Sequence, residues 1–318
     1  MDTYDPFAAG RFPVGTSDAT AHDPARQRDF PYRVWHPAGP GPYPVVVFSH
    51  HSGGNRGSAS FLCTHLASHG YAVAAMDHFE VVAADLAARA RQDAQRDPSA
   101  RQAWIETVLI NRVADLRFLL DHLLDPGGAG DLPLDPDRVG LAGHSMGGWS
   151  VLATVDSEPR VGAVAALAPG GAATPRPGVV SAPLALAWDR DVPALYLAAE
   201  HDVPIPPAAV REVYQRTPAS KRMYVLRDAD HQHFMDDVAE QHEALRAMSL
   251  PGEAAWMPGA MKPIEQLCSQ QQAHTFVRGL VLAHFDATLR GDDRAAGFLA
   301  GDVVAELAAR GVPALAQT

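Results

Sequence analysis

Six nearly unbroken apolar runs punctuate this chain: Tyr43 to Phe48 (YPVVVF), Tyr71 to Met76 (YAVAAM), Val139 to Ala142 (VGLA), Val161 to Leu167 (VGAVAAL), Ala194 to Ala198 (ALYLA) and Arg222 to Leu226 (RMYVL). A strand with one wet face alternates apolar and polar residues. A run without that alternation has to be covered on both faces, the condition of a parallel sheet between helical layers. Helical stretches fall where that arrangement needs them: Ser58 to Ser68, Asn111 to Leu124, Met146 to Val155, Pro207 to Gln215, Ser269 to Leu289 and Asp293 to Ala309. Val113, Leu116, Leu120 and Leu123 share one helical face, and Pro126-Gly127-Gly128 ends that helix. The alternation predicts an α/β fold with a mostly parallel, doubly wound central sheet and helices on both faces.

The 318 residues suit one large α/β domain over residues 29–318. Residues 1–28 read as a polar, irregular N-terminal arm. Asp29 to His36 reads as an edge strand, because Pro31 removes a ladder donor. Phe79 to Arg101 and Ser249 to Pro263 exceed ordinary connections. The second, with its Gly, Pro and Met, reads as a flap over a site or as plain connection, followed by C-terminal helices.

The formal net charge of −11 and the lack of any Lys/Arg run argue against nucleic acid or an anionic membrane as partner. A small molecule is the expected partner. The opening MDTYDPFAAGRF has no apolar core of a secretory signal, and no stretch reaches the ~20 apolar residues of a membrane span. Cytoplasmic location is therefore expected, with Cys63 and Cys268 reduced and buried.

VGLAGHSMGGWS, Val139 to Ser150, carries the chemistry. Gly143-His144-Ser145-Met146-Gly147 is G-x-S-x-G between a strand and a helix, the context in which a serine rides a tight strained turn. The two glycines remove side chains that would strike the strand and the helix. The helix N-terminus favours a developing anion. A serine needs a base, and the base needs an orienter. Asp202 follows ALYLAAE and His231 follows RMYVLRDAD, so Ser145, Asp202 and His231 each close a predicted strand, in the chain order Ser, Asp, His. His233 and His201 compete for the base, and Asp189 and Asp191 for the acid. An oxyanion site needs two backbone N–H donors. Met146 supplies one, and Ser52, in the glycine-rich loop FSHHSGGNRGS, supplies the other.

Other readings of that loop fit less well. Neither G-x-x-x-x-G-K-[ST] nor G-x-G-x-x-G is present. No metal site is expected. His65 and His69 have i, i+4 spacing without the glutamate of H-E-x-x-H, so a solvated helix face is the reading there. Asp77, His78 and Glu80 either line the pocket or make structural hydrogen bonds. His51, His78, Trp149 and Trp188 are candidate substrate contacts, with Trp256 and Met257 as further pocket candidates.

With these residues in view, the chain resembles the α/β-hydrolase superfamily. FSHHSGGNR, LASHGYAVAAMDH, RVADLRFLLDHL, GHSMGG and DHQHF together are similar to the platelet-activating-factor acetylhydrolase and dienelactone-hydrolase-like esterases, over roughly residues 25 to 290. The resemblance implies a mostly parallel sheet of about eight strands and a serine esterase without cofactor. Dienelactone hydrolases proper use a cysteine nucleophile, and Ser145 stands in its place. The related loop reads S-H-G, and His51 stands at that glycine, a strained position for histidine if φ is positive. The expected function is a serine carboxylester hydrolase acting on small to medium neutral esters. Its rivals are an amidase, thioesterase or peptidase with the same triad, or a binding protein on the hydrolase scaffold.

Overall fold

A computed structural model describes residues 4–128 and 132–317. Nine strands form one sheet: β1 (Val14–Asp23), β2 (Arg28–Pro37), β3 (Tyr43–Ser49), β4 (Ala72–Met76), β5 (Leu134–His144), β6 (Val161–Leu167), β7 (Ala194–Ala199), β8 (Lys221–Leu226) and β9 (Ala314–Gln317). Their spatial order is β1-β2-β4-β3-β5-β6-β7-β8-β9. The six central strands from β4 to β8 run parallel, while β1, β2 and β9 are antiparallel to their neighbours.

The period-2 geometry of a strand sorts the apolar runs onto two faces. Val46 and Phe48 face a layer built from α1 (Ser60–Ser68), with Leu62 and Leu66. Val45 and Val47 face the opposite layer. After α1 come α2 (Phe79–Val82), α3 (Ala84–Arg96), α4 (Pro98–Leu124), α5 (Met146–Thr154), α6 (Pro207–Arg216), α7 (Val238–Arg246), α8 (Met257–Ala260), α9 (Gln270–Leu289), α10 (Asp293–Ala300) and α11 (Val303–Ala308). Phe276 and Leu280 of α9 join α1 on the first face. Leu116 and Leu120 of α4, Leu152 of α5 and Val210 of α6 cover the second. Each such fully buried side chain contributes about 1.5–3 kcal/mol.

Several expectations are corrected. The N-terminal arm is not irregular: β1 pairs with β2 over its whole length. Most of its residues are exposed, so no apolar periodicity marks it. Residues 1–3 of the arm lie outside the described residues. Consequently β2 is not an edge strand. Pro31 sits where the β2–β4 ladder ends, and there only its carbonyl is used, accepting from the Asp77 N–H at 2.9 Å. The sheet has nine strands rather than eight. The stretch read as a connection from Phe79 to Arg101 holds α2, α3 and the start of α4, and α4 spans 27 residues. The final helix is two, α10 and α11. Segment 249–263, read as a flap or as connection, is not among these corrections: it holds α8, and its Met257 and Met261 pack against Val203. No helix among the described residues is long and apolar enough to cross a membrane.

Candidate active site

Ser145 caps α5 directly after β5, with φ 59° and ψ −118°. A non-glycine residue there is strained, on the order of 1–3 kcal/mol, and persists only where its surroundings over-determine it. They do so here. The Ser145 N–H donates to Leu167 O at 2.8 Å, and the Ser145 carbonyl accepts from Trp149 and Gly170 N–H groups. A Cβ on Gly143 would lie 2.3 Å from Gly147 O, and one on Gly147 would lie 2.0 Å from Ser49 O. Both glycines are therefore steric requirements of the turn.

Asp202 follows β7 and is buried. Its Oδ1 accepts from the Ile205 N–H at 2.7 Å, and its Oδ2 lies 2.7 Å from His231 Nδ1. A carboxylate facing Nδ1 places the imidazole proton there and leaves Nε2 as the acceptor. His231 opens a short 3-10 turn, His231–Phe234. Asp230, which sequence reasoning passed over, joins the two loops: its Oδ1 accepts from both the His231 N–H (2.6 Å) and the Val203 N–H (3.2 Å). Its only signal in sequence was its place just before the histidine. Among the described residues no hydrogen bond joins Ser145 Oγ to His231. The imidazole lies beside the elbow, its ring centroid 4.6 Å from that of His144. Such bonds often close only around substrate.

The competing residues are occupied elsewhere. His233 places Nδ1 on the backbone of Asp230 and Nε2 3.1 Å from Cys268 O. His201 Nε2 lies 2.8 Å from Lys262 Nζ. Asp191 accepts from the Ser220 N–H and hydroxyl.

Three imidazoles crowd this rim, and only one has a carboxylate. Burial lowers the His51 pKa to about 4, helped by the charges of His231 and Arg112. Burial also holds His144 well below its ordinary value. For His231 burial pulls the same way, but the charge and hydrogen bond of Asp202, with Asp230 behind, raise it above the ordinary histidine value. A single basic imidazole results.

The loop after β3 carries Ser52, which is exposed, and its N–H meets no protein acceptor among the described residues. Met146 is the first residue of α5, where a backbone N–H has no intrahelical partner. His51 is not strained: the loop's positive φ falls on Gly53, at 80°.

Two candidate substrate contacts are corrected. His78 is fully buried, with Nε2 2.8 Å from Ser49 Oγ and Nδ1 3.1 Å from Asp115 Oδ2. Trp188 belongs to the core and donates to Leu152 O. Trp149 packs in the same core, at 7% exposure, with its indole N–H unpartnered. His51 stays at the rim, 5.6 Å from His144 ring to ring. Asp77 and Glu80 also serve structure: Asp77 accepts from the Arg56 N–H and guanidinium, and Glu80 from Arg112. His65 and His69 are not a solvated face. Their Nε2 atoms lie 3.0 Å from the Pro6 and Ala8 carbonyls, pinning the N-terminal segment. Among the described residues, the group with metal-ligand spacing is Glu200, His201 and Asp228, and the Lys262 ammonium already faces it.

Comparison with known proteins points one way. Residues 30–258 match the model of the Dienelactone hydrolase family. A platelet-activating factor acetylhydrolase from Cavia porcellus is 29% identical over 150 residues, 37% of this chain and 33% of that protein. The chain thus spans about a third of the length of that curated relative. A solved ferulic acid esterase from Streptomyces cinnamoneus superposes with a TM-score of 0.62 at 26% identity, covering 89% of this chain and 92% of its own.

Proposed function

The chain belongs to the dienelactone hydrolase family and is an enzyme of the ester-hydrolase kind, and on that premise we propose that it is a serine carboxylester hydrolase working through an acyl-enzyme. One observation carries the reading. A buried carboxylate–imidazole pair, Asp202 and His231 at 2.7 Å, lies beside a serine held in a strained elbow at the helix N-terminus.

In this reading His231 Nε2 takes the hydroxyl proton as Ser145 Oγ attacks the ester carbonyl carbon. Asp202 keeps the second imidazole proton on Nδ1 and stabilises the cation that forms. The N–H groups of Met146 and Ser52 hold the tetrahedral oxyanion. Collapse breaks the acyl–alkoxy bond, and His231 returns its proton to the departing alcohol. Water, activated by the same imidazole, then attacks the acyl carbon and releases the acid. Pro169, Gly170, Val180 and Ile205 line a small, mostly apolar pocket between the loops after β6 and β7, which we assign to a short acyl group. The similarity to a platelet-activating factor acetylhydrolase and to a ferulic acid esterase supports esters of short or aromatic acids. The boundaries we propose are a single catalytic domain that includes β1.

A panel of p-nitrophenyl esters from acetate to palmitate, run beside matched anilides, tests the reading. Ester turnover favouring short acyl groups, with fluorophosphonate labelling at Ser145, is expected. Faster anilide turnover, or no labelling, defeats it.

A further inference from the structure

We propose that Arg112 on α4 is a positioning residue for the oxyanion loop: by gripping the carbonyls of His50 and His51 it aims the Ser52 N–H at the rim where Ser145 reacts. The inference rests on the esterase reading above and adds to it the group that sets the loop.

Arg112 is the largest fully buried side chain among the described residues. A buried guanidinium is costly unless its donors are used. Arg112 donates Nη1 to His50 O at 2.6 Å and Nη2 to His51 O at 3.3 Å, while Nε holds Glu80 Oε1 at 2.9 Å. Its planar fork thus spans two successive peptide carbonyls of one loop and is itself held by a carboxylate. A lysine, with one point of charge, cannot span them.

The His51 carbonyl gathers further donors. The ring of His50 accepts the His78 N–H at Nε2 (3.3 Å), so its own proton sits on Nδ1 and is donated to His51 O at 2.7 Å. The Gly54 N–H adds a third bond to that oxygen at 3.1 Å. In a planar trans peptide the C=O and the following N–H point opposite ways. Three donors, one from α4 and two from the loop itself, fasten the His51 carbonyl and therefore turn the Ser52 N–H away from them, and that N–H is free of protein acceptors among the described residues. Rotation of this peptide would cost all three bonds and bring a carbonyl dipole to the place where an anion forms. Burial and the Arg112 charge also hold His50 well below its ordinary pKa, which keeps the ring neutral in this arrangement.

The test compares Arg112→Lys with wild type for kcat, KM and inhibition by a trifluoromethyl ketone analogue of the preferred ester: Ser145 Oγ adds to its carbonyl as His231 takes the proton, and the hemiketal oxyanion so formed needs both N–H donors. The product carboxylic acid serves as a ground-state control. Misaiming one donor is expected to lower kcat by about 10- to 100-fold. The ketone Ki should weaken by the same factor, with KM and the Ki of the product acid within twofold. Glu80→Gln, which leaves Arg112 in place but loosens it, should shift kcat and the ketone Ki the same way by a smaller factor, and carries the test if Arg112→Lys does not fold. Folded Arg112→Lys with kcat and ketone Ki within twofold of wild type overturns the inference. So does a kcat loss matched by the loss of active sites counted from the acylation burst, which is plain misfolding. Wild-type protein that neither labels nor turns over ester overturns the esterase reading and this inference together.

Discussion

Two Ser–His–Asp groupings lie at the same end of this sheet, and only one of them is proposed to react. In the first, Asp202 Oδ2 meets His231 Nδ1, and the His231 ring centroid lies 4.6 Å from that of His144, the residue before Ser145. In the second, Asp115 faces His78 Nδ1, and His78 Nε2 lies 2.8 Å from Ser49 Oγ. In both, a carboxylate faces Nδ1; among the described residues an Nε2–hydroxyl hydrogen bond is present only in the second. In the second grouping the hydrogen bonds are complete, yet all three residues are fully buried. Ser49 ends an extended strand, and Asp115 also takes the Phe79 N–H and the Arg26 guanidinium. Ser145 instead sits half-exposed on a strained elbow. On the proposed reading, reactivity belongs to access, a projected hydroxyl and nearby N–H donors, and the same residue types without them make a structural clamp.

The largest effect that can break this contrast is at the hydroxyls. Ser145→Ala is expected to lower kcat/KM by about 10⁴-fold or more and abolish fluorophosphonate labelling. Ser49→Ala should keep turnover within about threefold and lose about 1–3 kcal/mol of stability, because a buried His78 nitrogen loses its donor. Loss of turnover in both variants by steady-state kinetics, with both proteins folded, would dissolve the distinction.

The carboxylates come next. Asp202→Asn should cost about 10³–10⁴-fold in kcat with an unchanged melting profile, since the imidazole takes the wrong tautomer. Asp115→Asn should instead lower stability by on the order of 3 kcal/mol, since it removes one partner of a buried ion pair. Denaturant unfolding beside kinetics separates the two.

A smaller effect is the pH profile. Asp202 raises the pKa of His231, so kcat/KM should fall on the acid side as pH drops through that raised value and the base protonates. In Asp202→Asn the raising influence is gone and burial dominates, so the acid limb of residual activity should move to lower pH. His51 and His144, held low by burial, add no second step near neutrality. An acid limb unmoved by Asp202→Asn would assign the titration to another group. Smallest on catalysis is Trp188→Phe: KM should stay within twofold while stability falls by about 1–2 kcal/mol. A KM rise without a stability loss would return Trp188 to the pocket.

Much of this site is local chemistry and so was legible in the chain. The G-x-S-x-G turn depends on glycines two residues from the serine, and the clashes at Gly143 and Gly147 are with the turn and the adjacent β3 end. Asp202 and His231 were singled out because each follows an apolar run by a few residues. The choice of His231 over His233 was not secure from two neighbouring histidines, because it depends on which ring reaches a carboxylate 29 residues away. β1 was illegible because an exposed strand leaves no apolar period, and the first half of α4 because its face is largely solvent-exposed. Arg112 and Asp115 lay in what read as an ordinary amphipathic helix. Their partners, in the β1–β2 turn, the loop after β3 and the residues around the start of α2, are 32 to 89 residues away.

What the residues alone determined is whatever rests on backbone sterics and on the period of apolar side chains: a doubly wound sheet, the strained G-x-S-x-G turn, and the chain order of Ser145, Asp202 and His231. What only the tertiary structure decided is which buried polar groups satisfy one another. Burying a charge is tolerable only with a specific partner at hydrogen-bond distance. Such partners are brought together by the packing of whole layers, which no local pattern encodes.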